Sequence, residues 1–546
     1  MSQRELLFLA LGGAGEIGMN LNLYAYDDQW LMVDLGISFG DDTLPGIDVV
    51  MPDPAFIVER REKLLGLVLT HAHEDHLGAV AHLWPQLECP IYATPFAASV
   101  LRRKLLEAGL IDRAHITVVP LGGKFTLGPF ELELVTMTHS IPEPNALAIR
   151  TPLGTILHTG DWKIDPEPLL GEATDEAALR RFGDEGVLAM VCDSTNVFVP
   201  GEAGSEADVR RSLIEIIAGC KQRVAVTCFA SNLARVESVA VAAEANGRHA
   251  VLVGRAINRM VEAAKENGYL LNMPRTVDEK EASWLPADKL VMICTGSQGE
   301  PGAALSRLAA DEHPMLHLSP GDTVVFSSRI IPGNERSIGR LHNRLVAMGL
   351  HVVTEKDSFV HVSGHPGRDE LARLYQWVRP KIALPVHGEL RHMAEHAALA
   401  RQMQVPETII APNGTLVRLA PNKPEIIDHV YSGRLALDGS RLIPLNPQAL
   451  KSRRQIVMNG AATVTLIADK AGKLLAEPRV SVQGFEGGDA INAACQDAVA
   501  AIMLALKGRL KGEEATIRQE TAILARRAFK QRLGKKPLTD VQIVRI

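Results

Sequence analysis

Apolar positions in the first 200 residues fall in short runs rather than long stripes. Residues 6–11, "LLFLAL", are continuously apolar, residues 19–26, "MNLNLYAY", alternate, and residues 30–35 follow a turn at Asp27-Asp28. Alternation with period two sets one face of a strand against a core, so these segments predict strands. "LLGLVLT" (64–70), "IYAT" (91–94), "FELELVTM" (130–137) and "GTILHTGD" (154–161) extend the series, with helical stretches between them. From residue 205 to 360 the pattern changes. "RVAVTCFA" (223–230), "HAVLVG" (249–254), "KLVMICTG" (289–296) and "DTVVFSS" (322–328) are apolar throughout and alternate with helices such as "NLARVESVAVAAEANG", the pattern of a doubly wound parallel sheet. "RPKIALPVHGEL" (379–390) is again a strand, ending in a histidine. Around Pro444 to Pro447 the composition shifts to that of a linker, after which "ATVTLIADKAGKLL" predicts a hairpin and residues 489–533 two helices.

The stretch Gly13-Ala14-Gly15-Glu16-Ile17-Gly18 matches the glycine fingerprint of dinucleotide-binding folds. That fingerprint works only where a helix follows, because the pyrophosphate sits on the helix's first turn. Here an alternating strand follows, which predicts an antiparallel hairpin and no dinucleotide.

Composition narrows the class further. At 546 residues the chain has material for three or four domains, and 46% hydrophobic with 22% charged residues is ordinary for a globular protein. No apolar run approaches the roughly 18 residues that cross a bilayer, and "LLFLAL" is too short for a signal peptide, so no membrane association is expected. Six cysteines without a CxxC pair point to a reducing, cytoplasmic setting. The net charge of -6 gives no general sign of nucleic-acid binding, although residues 507–546 carry eleven Lys or Arg against four Asp or Glu.

The strongest chemical signal follows the strand at 64–70. His71, His73, Asp75 and His76 fall within six residues on a loop, where side chains can converge on one point. His139, Asp161 and His387 each stand at the end of another strand. Together they make seven N/O ligands, enough for two divalent ions: His71, His73 and His139 on one, Asp75, His76 and His387 on the other, with Asp161 shared. The absence of thiolate suits zinc or manganese at a hydrolytic site. Two such ions bring a shared water's pKa near neutrality and clamp a phosphoryl oxygen, and the same pair would serve a lactam or thioester.

With these residues the chain resembles the metallo-β-lactamase fold and, within it, the β-CASP nucleases and the ribonuclease J family. The narrowing motifs are "VCDSTN" (Asp193), "FASN" (Ser231-Asn232), "TGSQGEP" (295–301), "IPGNE" (331–335), "HVSGHPGRDEL" (361–371) and "PVHGE" (385–389). The resemblance implies an α/β protein: an αββα sandwich with an inserted parallel β-CASP domain and a small α+β C-terminal domain. Its parts would be 1–204 and 361–446 for the sandwich, 205–360 for the insertion, 447–460 as linker and 461–546 as the C-terminal domain. It places the glycine stretch at the first hairpin, beside the metal cleft. It implies a metal-dependent ribonuclease with 5′-to-3′ exonuclease and endonuclease activity in RNA decay and maturation, the alternative being DNA or a small ester as substrate. The ions would be zinc, with manganese or magnesium as alternatives. Asp75 would act with the ions, His365 would protonate the leaving oxygen, and Asp193 would hold its ring. Ser231, Asn232, His361 and Ser363 would grip the 5′-monophosphate of single-stranded RNA. A homodimer or homotetramer is expected, paired through the C-terminal segment. Pro366 and Arg368 depart from the family pattern, which expects a small residue and a polar run after the histidine.

Overall fold

The computed structural model describes residues 4–40, 43–445 and 447–546. The boundaries expected at residues 1 and 446, and residues 41 and 42, lie outside them. The chain forms two compact units, Met1–Phe39 with Val49–Leu435, and Gly40–Asp48 with Ala436–Ile546.

The larger unit is built on two mixed sheets. One runs in the order Glu425–His429, Thr415–Ala420, Leu6–Gly12, Leu21–Tyr26, Gln29–Val33, Leu64–Val68, Ile91–Ala93, Ile116–Val118. The other runs Lys124–Leu127, Phe130–Thr136, Asn145–Thr151, Gly154–His158, Val187–Asp193, Ile382–Val386, Glu407–Thr408. Alternate residues of each strand meet between the sheets: Phe8, Tyr24, Leu31 and Val68 from the first pack with Leu132, Leu147, Ile156, Val191 and Leu384 from the second. On the outer face of the second sheet, Val135, Ala148, Met190 and Ala383 pack under helices Glu176–Glu185, Arg368–Val378 and Leu390–Gln402 through Phe182, Leu374 and Leu399. This is the expected αββα sandwich. The opening glycines lead into antiparallel pairing of Leu6–Gly12 with Leu21–Tyr26, with no helix between the two strands.

The insertion is the expected parallel sheet, ordered Thr276–Val277, His249–Val253, Leu290–Cys294, Val224–Thr227, Thr323–Phe326, His351–Val353. Its central strands Val224–Thr227, Leu290–Cys294 and Thr323–Phe326 are buried along their whole length, as in a parallel sheet covered on both faces. Arg235, fully buried on helix Leu233–Ala245, ties together three parts of the insertion. Its guanidinium donates to both carboxylate oxygens of Glu206 (3.1 and 3.0 Å), to the Ser327 carbonyl and hydroxyl (2.8 and 2.7 Å) and to the Val360 carbonyl (3.0 Å).

In the second unit two expectations need correction. Residues 447–460, expected as linker, form helix Pro447–Asn459, since no Gly or Pro follows Pro447 until Gly460 and a proline at the first helical position is no obstacle. The hairpin expected within 462–475 closes further on: Ala461–Ala468 pairs antiparallel with Arg479–Gln483 and parallel with Leu538–Arg545. Helices Gly488–Leu506 and Glu514–Leu533 pack on this sheet through Ala498, Ile502, Ala525 and Phe529. Among the described residues Gly488–Leu506 is apolar and long enough to cross a bilayer by length and composition, which corrects the expectation that no run approaches that length. All six cysteines are free; burial pushes the Cys89 and Cys228 thiols up to about 12, so neither ionises readily.

Candidate metal centre

Strand Leu64–Val68 runs into the loop carrying His71 and His73, and one helical turn, Glu74–Leu77, then presents Asp75 and His76. His139 follows Phe130–Thr136, Asp161 follows Gly154–His158, and His387 follows Ile382–Val386. All seven meet at one end of the two sheets.

They form two groups that share Asp161. In the first, Nε2 of His71 and Nε2 of His139 lie 3.1 and 3.0 Å from Nδ1 of His73, and each lies 3.9 Å from Asp161 Oδ2. In the second, His76 Nε2 stands 3.1 Å from Asp161 Oδ2 and 3.7 Å from Asp75 Oδ2, while His387 Nε2 stands 3.1 Å from Asp75 Oδ2. The donor atoms of each group lie within 4.8 Å of one another.

The surrounding hydrogen bonds decide which ring nitrogens face inward. The Thr70 hydroxyl donates to Asp34 Oδ2 (2.8 Å), so its oxygen accepts from His71 Nδ1 (3.0 Å). Asp34 Oδ2 also accepts from His76 Nδ1 (2.7 Å), and the Gly364 carbonyl accepts from His139 Nδ1. Each of these three rings therefore turns an Nε2 lone pair inward, toward other lone pairs and two carboxylates. Such a set repels itself unless cations sit within it, and imidazole with carboxylate and no thiolate suits hard or borderline divalent ions. The residues thus fit the metals that the fold implies. Burial holds His71 and His139 well below the usual histidine range, helped by neighbouring rings, and His73 at about 4, which keeps them in the neutral, ligating form. Burial would raise Asp161, but His387, His76 and His365 outweigh it and hold the carboxyl well below its usual range.

The first glycine stretch braces this centre. His387 has a left-handed backbone, φ 51°, a strained conformation for a histidine, and its N–H donates to the Gly13 carbonyl (2.6 Å). Ala14–Gly15 then pairs with Gly388–Glu389. A Cβ on Gly13 would meet the Asn20 side chain at 2.2 Å, and one on Gly36 would meet the Asp75 carbonyl at 1.7 Å, so both must be glycine.

His365 stands between the groups, its ring centroid 5.2 Å from that of His139 and 5.5 Å from that of His387. Its Nδ1 donates to Asp193 Oδ2 (2.8 Å). Burial disfavours the charged ring, but Asp193 and Asp161 outweigh it and raise its pKa. Asp193 Oδ1 accepts from Thr195 N and Oγ1 (2.8 and 2.7 Å), and that hydroxyl lies 2.8 Å from His387 Nδ1.

The four residues expected around a 5′-phosphate are placed less uniformly. His361 is half-buried, and its Nδ1 has no hydrogen-bond partner; burial, then Arg235, Arg329 and Lys163, hold it well below the usual histidine range. Ser363 Oγ accepts from Asn196 Nδ2 (2.7 Å) and from His365 N (3.1 Å). Ser231 is half-buried just before helix Leu233–Ala245, and among the described residues no hydrogen bond joins it to His361 or Ser363. Asn232 is turned to internal work: its side chain caps that helix by accepting from Arg235 N (3.0 Å) and reaches Glu206 (3.3 Å). Arg368, the departure from the family pattern, pairs with Glu395 (2.6 Å).

Sequence reading missed Asp34, Thr70, Thr195 and Glu370. Glu370 ties three segments around His365, accepting from Ile164 N (2.7 Å), Gly367 N (2.6 Å) and Ala203 N (2.7 Å). Asp34 carried a signal, since it ends the strand Gln29–Val33 much as Asp161 follows its own.

Sandwich, parallel insertion and shared-carboxylate centre define a hydrolase of the metallo-β-lactamase fold with a β-CASP insertion. Family models agree along the chain: Metallo-beta-lactamase superfamily over residues 19–213, Ribonuclease J, beta-CASP domain over 221–345, Zn-dependent metallo-hydrolase RNA specificity domain over 349–412, and Ribonuclease J C-terminal domain over 448–546. The Ribonuclease J of Sinorhizobium meliloti is 44% identical over 550 residues, covering 99% of this chain and 98% of the relative. That of Thermus thermophilus is 37% identical over 85% of this chain and 83% of its own, and Ribonuclease J 1 of Streptococcus pyogenes 36% identical over 93% and 92%. A crystal structure of a protein of unknown function from Enterococcus faecalis V583 shares the fold, with TM-score 0.51 and 16% identity over 76% of this chain and 100% of that one. The chain belongs to the ribonuclease J family and is a metal-dependent ribonuclease.

Proposed function

We propose that this ribonuclease removes nucleotides from the 5′ end of single-stranded RNA and also cuts internally, with a preference for 5′-monophosphorylated ends in the exonuclease mode. The observation that carries the reading is the pair of ligand groups sharing Asp161, with His365 standing between them. His71, His73 and His139 would hold one ion and Asp75, His76 and His387 the other. Zinc suits the donor set best, with manganese or magnesium as alternatives. Bound there, two divalent ions supply Lewis acidity toward a phosphoryl oxygen and make water nucleophilic near neutral pH. Asp34, Thr70 and the Gly364 carbonyl keep the rings turned inward. His365, charged and fixed at Nδ1 by Asp193, offers Nε2–H to the leaving 3′-oxygen. The backbone bonds to Glu370 hold the loop that carries it.

The 5′-phosphate reading rests on His361. Its unpartnered Nδ1 and the nearby Arg235, Arg329 and Lys163 suit an anion, and Ser231 and Ser363 offer hydroxyls. The site also lies where parallel sheets bind ligands, beyond the carboxyl ends of the insertion's strands. One phosphate has partners there; two further charged groups of a triphosphate would lose water without replacement. We also propose a homodimer or homotetramer, supported by the apolar face of Gly488–Leu506, where Leu504 is 78% exposed, and a cytoplasmic setting, supported by six free thiols.

The test incubates the protein with matched 5′-monophosphate RNA, 5′-triphosphate RNA and single-stranded DNA, with and without added divalent metal. Metal-dependent cleavage of the monophosphate RNA, faster than of the triphosphate and with little action on DNA, is expected. Indifference to the 5′ group would remove the pocket from the reading, and full activity of Asp75→Ala would remove the metal assignment.

A further inference from the structure

The turn after strand Val187–Asp193 carries several site groups in quick succession: Asp193 to His365, Thr195 to His387, and Asn196 to Ser363 and Arg329. Val197 N–H donates to the Ser194 carbonyl and Val199 N–H to the Asn196 carbonyl, so the turn is tight. Phe198 stands at its outer end and is 51% exposed, although its neighbour Val197 is fully buried. A phenylalanine left half in water beside a nucleic-acid site invites explanation.

Its surroundings hold it in place. The His392 ring lies edge-on at 5.3 Å between centroids with an interplanar angle of 64°, and the Arg391 guanidinium lies 5.9 Å from the ring centre. Both residues lie in the first turn of helix Leu390–Gln402, which begins shortly after His387. That helix start is pressed against the turn: a Cβ on Gly388 would meet His392 Cβ at 2.9 Å and Ser194 Cβ at 3.0 Å. His392 is 7% exposed, and its Nδ1 makes no hydrogen bond among the described residues. The ring of Phe198 is thus flanked by the His392 ring and by the Arg391 guanidinium over it, and half of it still faces solvent. Beside it stands the Arg391 guanidinium, its side chain 67% exposed and its Nε bonded to Glu389 Oε2 (2.8 Å); His392 Nδ1 lies 3.8 Å from the same carboxylate oxygen.

We propose that Phe198, with Arg391 and His392, is a stacking platform for one base of the RNA strand that passes the metal centre. The proposal rests on the ribonuclease reading of that centre. Aromatic faces accept any base without reading its edge, which suits an enzyme that must advance along unrelated sequences, and a guanidinium beside the ring can meet the adjoining phosphate. The occupant is therefore a single-stranded base, taken up without sequence preference.

Binding of a hydrolysis-resistant, 5′-monophosphorylated phosphorothioate oligoadenylate to the full-length, metal-loaded protein tests this by fluorescence anisotropy. Phe198→Ala should weaken binding between about 5-fold and about 100-fold, the range found for loss of one stacked base. Phe198→Trp should keep wild-type affinity and add a tryptophan emission that the RNA quenches beyond the wild-type response. Trp284→Ala, which removes a side chain 79% exposed elsewhere on the insertion, should leave affinity unchanged. Binding of Phe198→Ala within twofold of wild type would overturn the platform, as would an added emission in Phe198→Trp that the RNA leaves unquenched. Failure of the wild type itself to bind the RNA would count against the reading of the site as a whole.

Discussion

Replacing Arg235 by methionine should cost about 4 kcal/mol locally, far more than its lost contacts suggest. The side chain is fully buried and satisfies a carboxylate and two carbonyls that have few other partners. Without it, among the described residues the Glu206 side chain, 3% exposed, keeps only the Asn232 amide at 3.3 Å, and the Ser327 carbonyl loses the guanidinium, whereas the Val360 carbonyl still receives the Ser327 hydroxyl at 2.6 Å. Stranding one partner of a buried pair costs about 3–5 kcal/mol, and methionine fills most of the volume, so no large cavity adds to it. Native-state hydrogen exchange of the Leu233–Ala245 amides reads this directly: about 4 kcal/mol corresponds to exchange roughly a thousandfold faster. Removing the stranded charge as well, in Arg235→Met with Glu206→Leu, should recover at least half of the loss. Exchange less than about tenfold faster in the single variant, or no recovery in the double, would refute the argument that charge burial rather than contact number sets the cost. The double variant should still weaken RNA binding, because the Val360 carbonyl next to His361 loses the guanidinium and is held by the Ser327 hydroxyl alone.

Four further outcomes follow from the same structure. Asp34→Ala frees the His76 ring and should lower metal affinity about 10- to 100-fold by competitive chelator titration; an unchanged affinity would show that the outer hydrogen bonds do not orient the rings. Ser363→Phe should abolish 5′-end discrimination and exonuclease action on labelled RNA while sparing internal cuts, whereas His365→Ala should depress both modes about 10²- to 10⁴-fold; equal loss of both modes in Ser363→Phe would count against the pocket. Leu504→Glu should convert the assembly to monomer in sedimentation, and an unchanged assembly would exclude the apolar helix face as its interface. His396, buried between the Ser194 and Tyr375 hydroxyls, is held at about 4 against an ordinary 6.5. Its neutral form contributes full stability above pH 6.5 and loses it as the pH falls from 6.5 to 4, by about 3 kcal/mol in all. Urea midpoints across that window should fall less steeply in His396→Gln, and parallel acid limbs would refute it.

What the sequence made legible was the part in which a side chain's type already names its task. Histidines and acids at strand ends are conspicuous, so the seven residues read as ligands stood out, and the structure brings them together. The change from alternating to continuous apolar strands likewise separated the sandwich from the insertion. The groups that aim those ligands were hidden because their residue types are common: a threonine such as Thr70, a carbonyl such as that of Gly364, or a glutamate such as Glu370 has meaning only once its partner is known. Asn232 shows the converse. Its place in a family motif suggested substrate contact, yet a helix start beside a buried glutamate takes its side chain first. At the other end of the chain, "LTDVQIVR" alternates as a strand should, but its partner lies far back in the sequence, and its neighbours suggested only helices.

The bond from His387 to Gly13 has a consequence for how such an enzyme comes into being. Asp75 and His387 face each other across 312 residues of chain, and the loop that steadies the later residue lies near the chain's beginning. A polypeptide emerging from the ribosome can fold its first sandwich strands early, but it lacks the second ligand group until most of the protein has been made. A ribonuclease is assembled while tethered to the message that encodes it. By closing its centre with one of the last strands of the sandwich, this chain holds a complete ligand set only once the segment through His387 has been made.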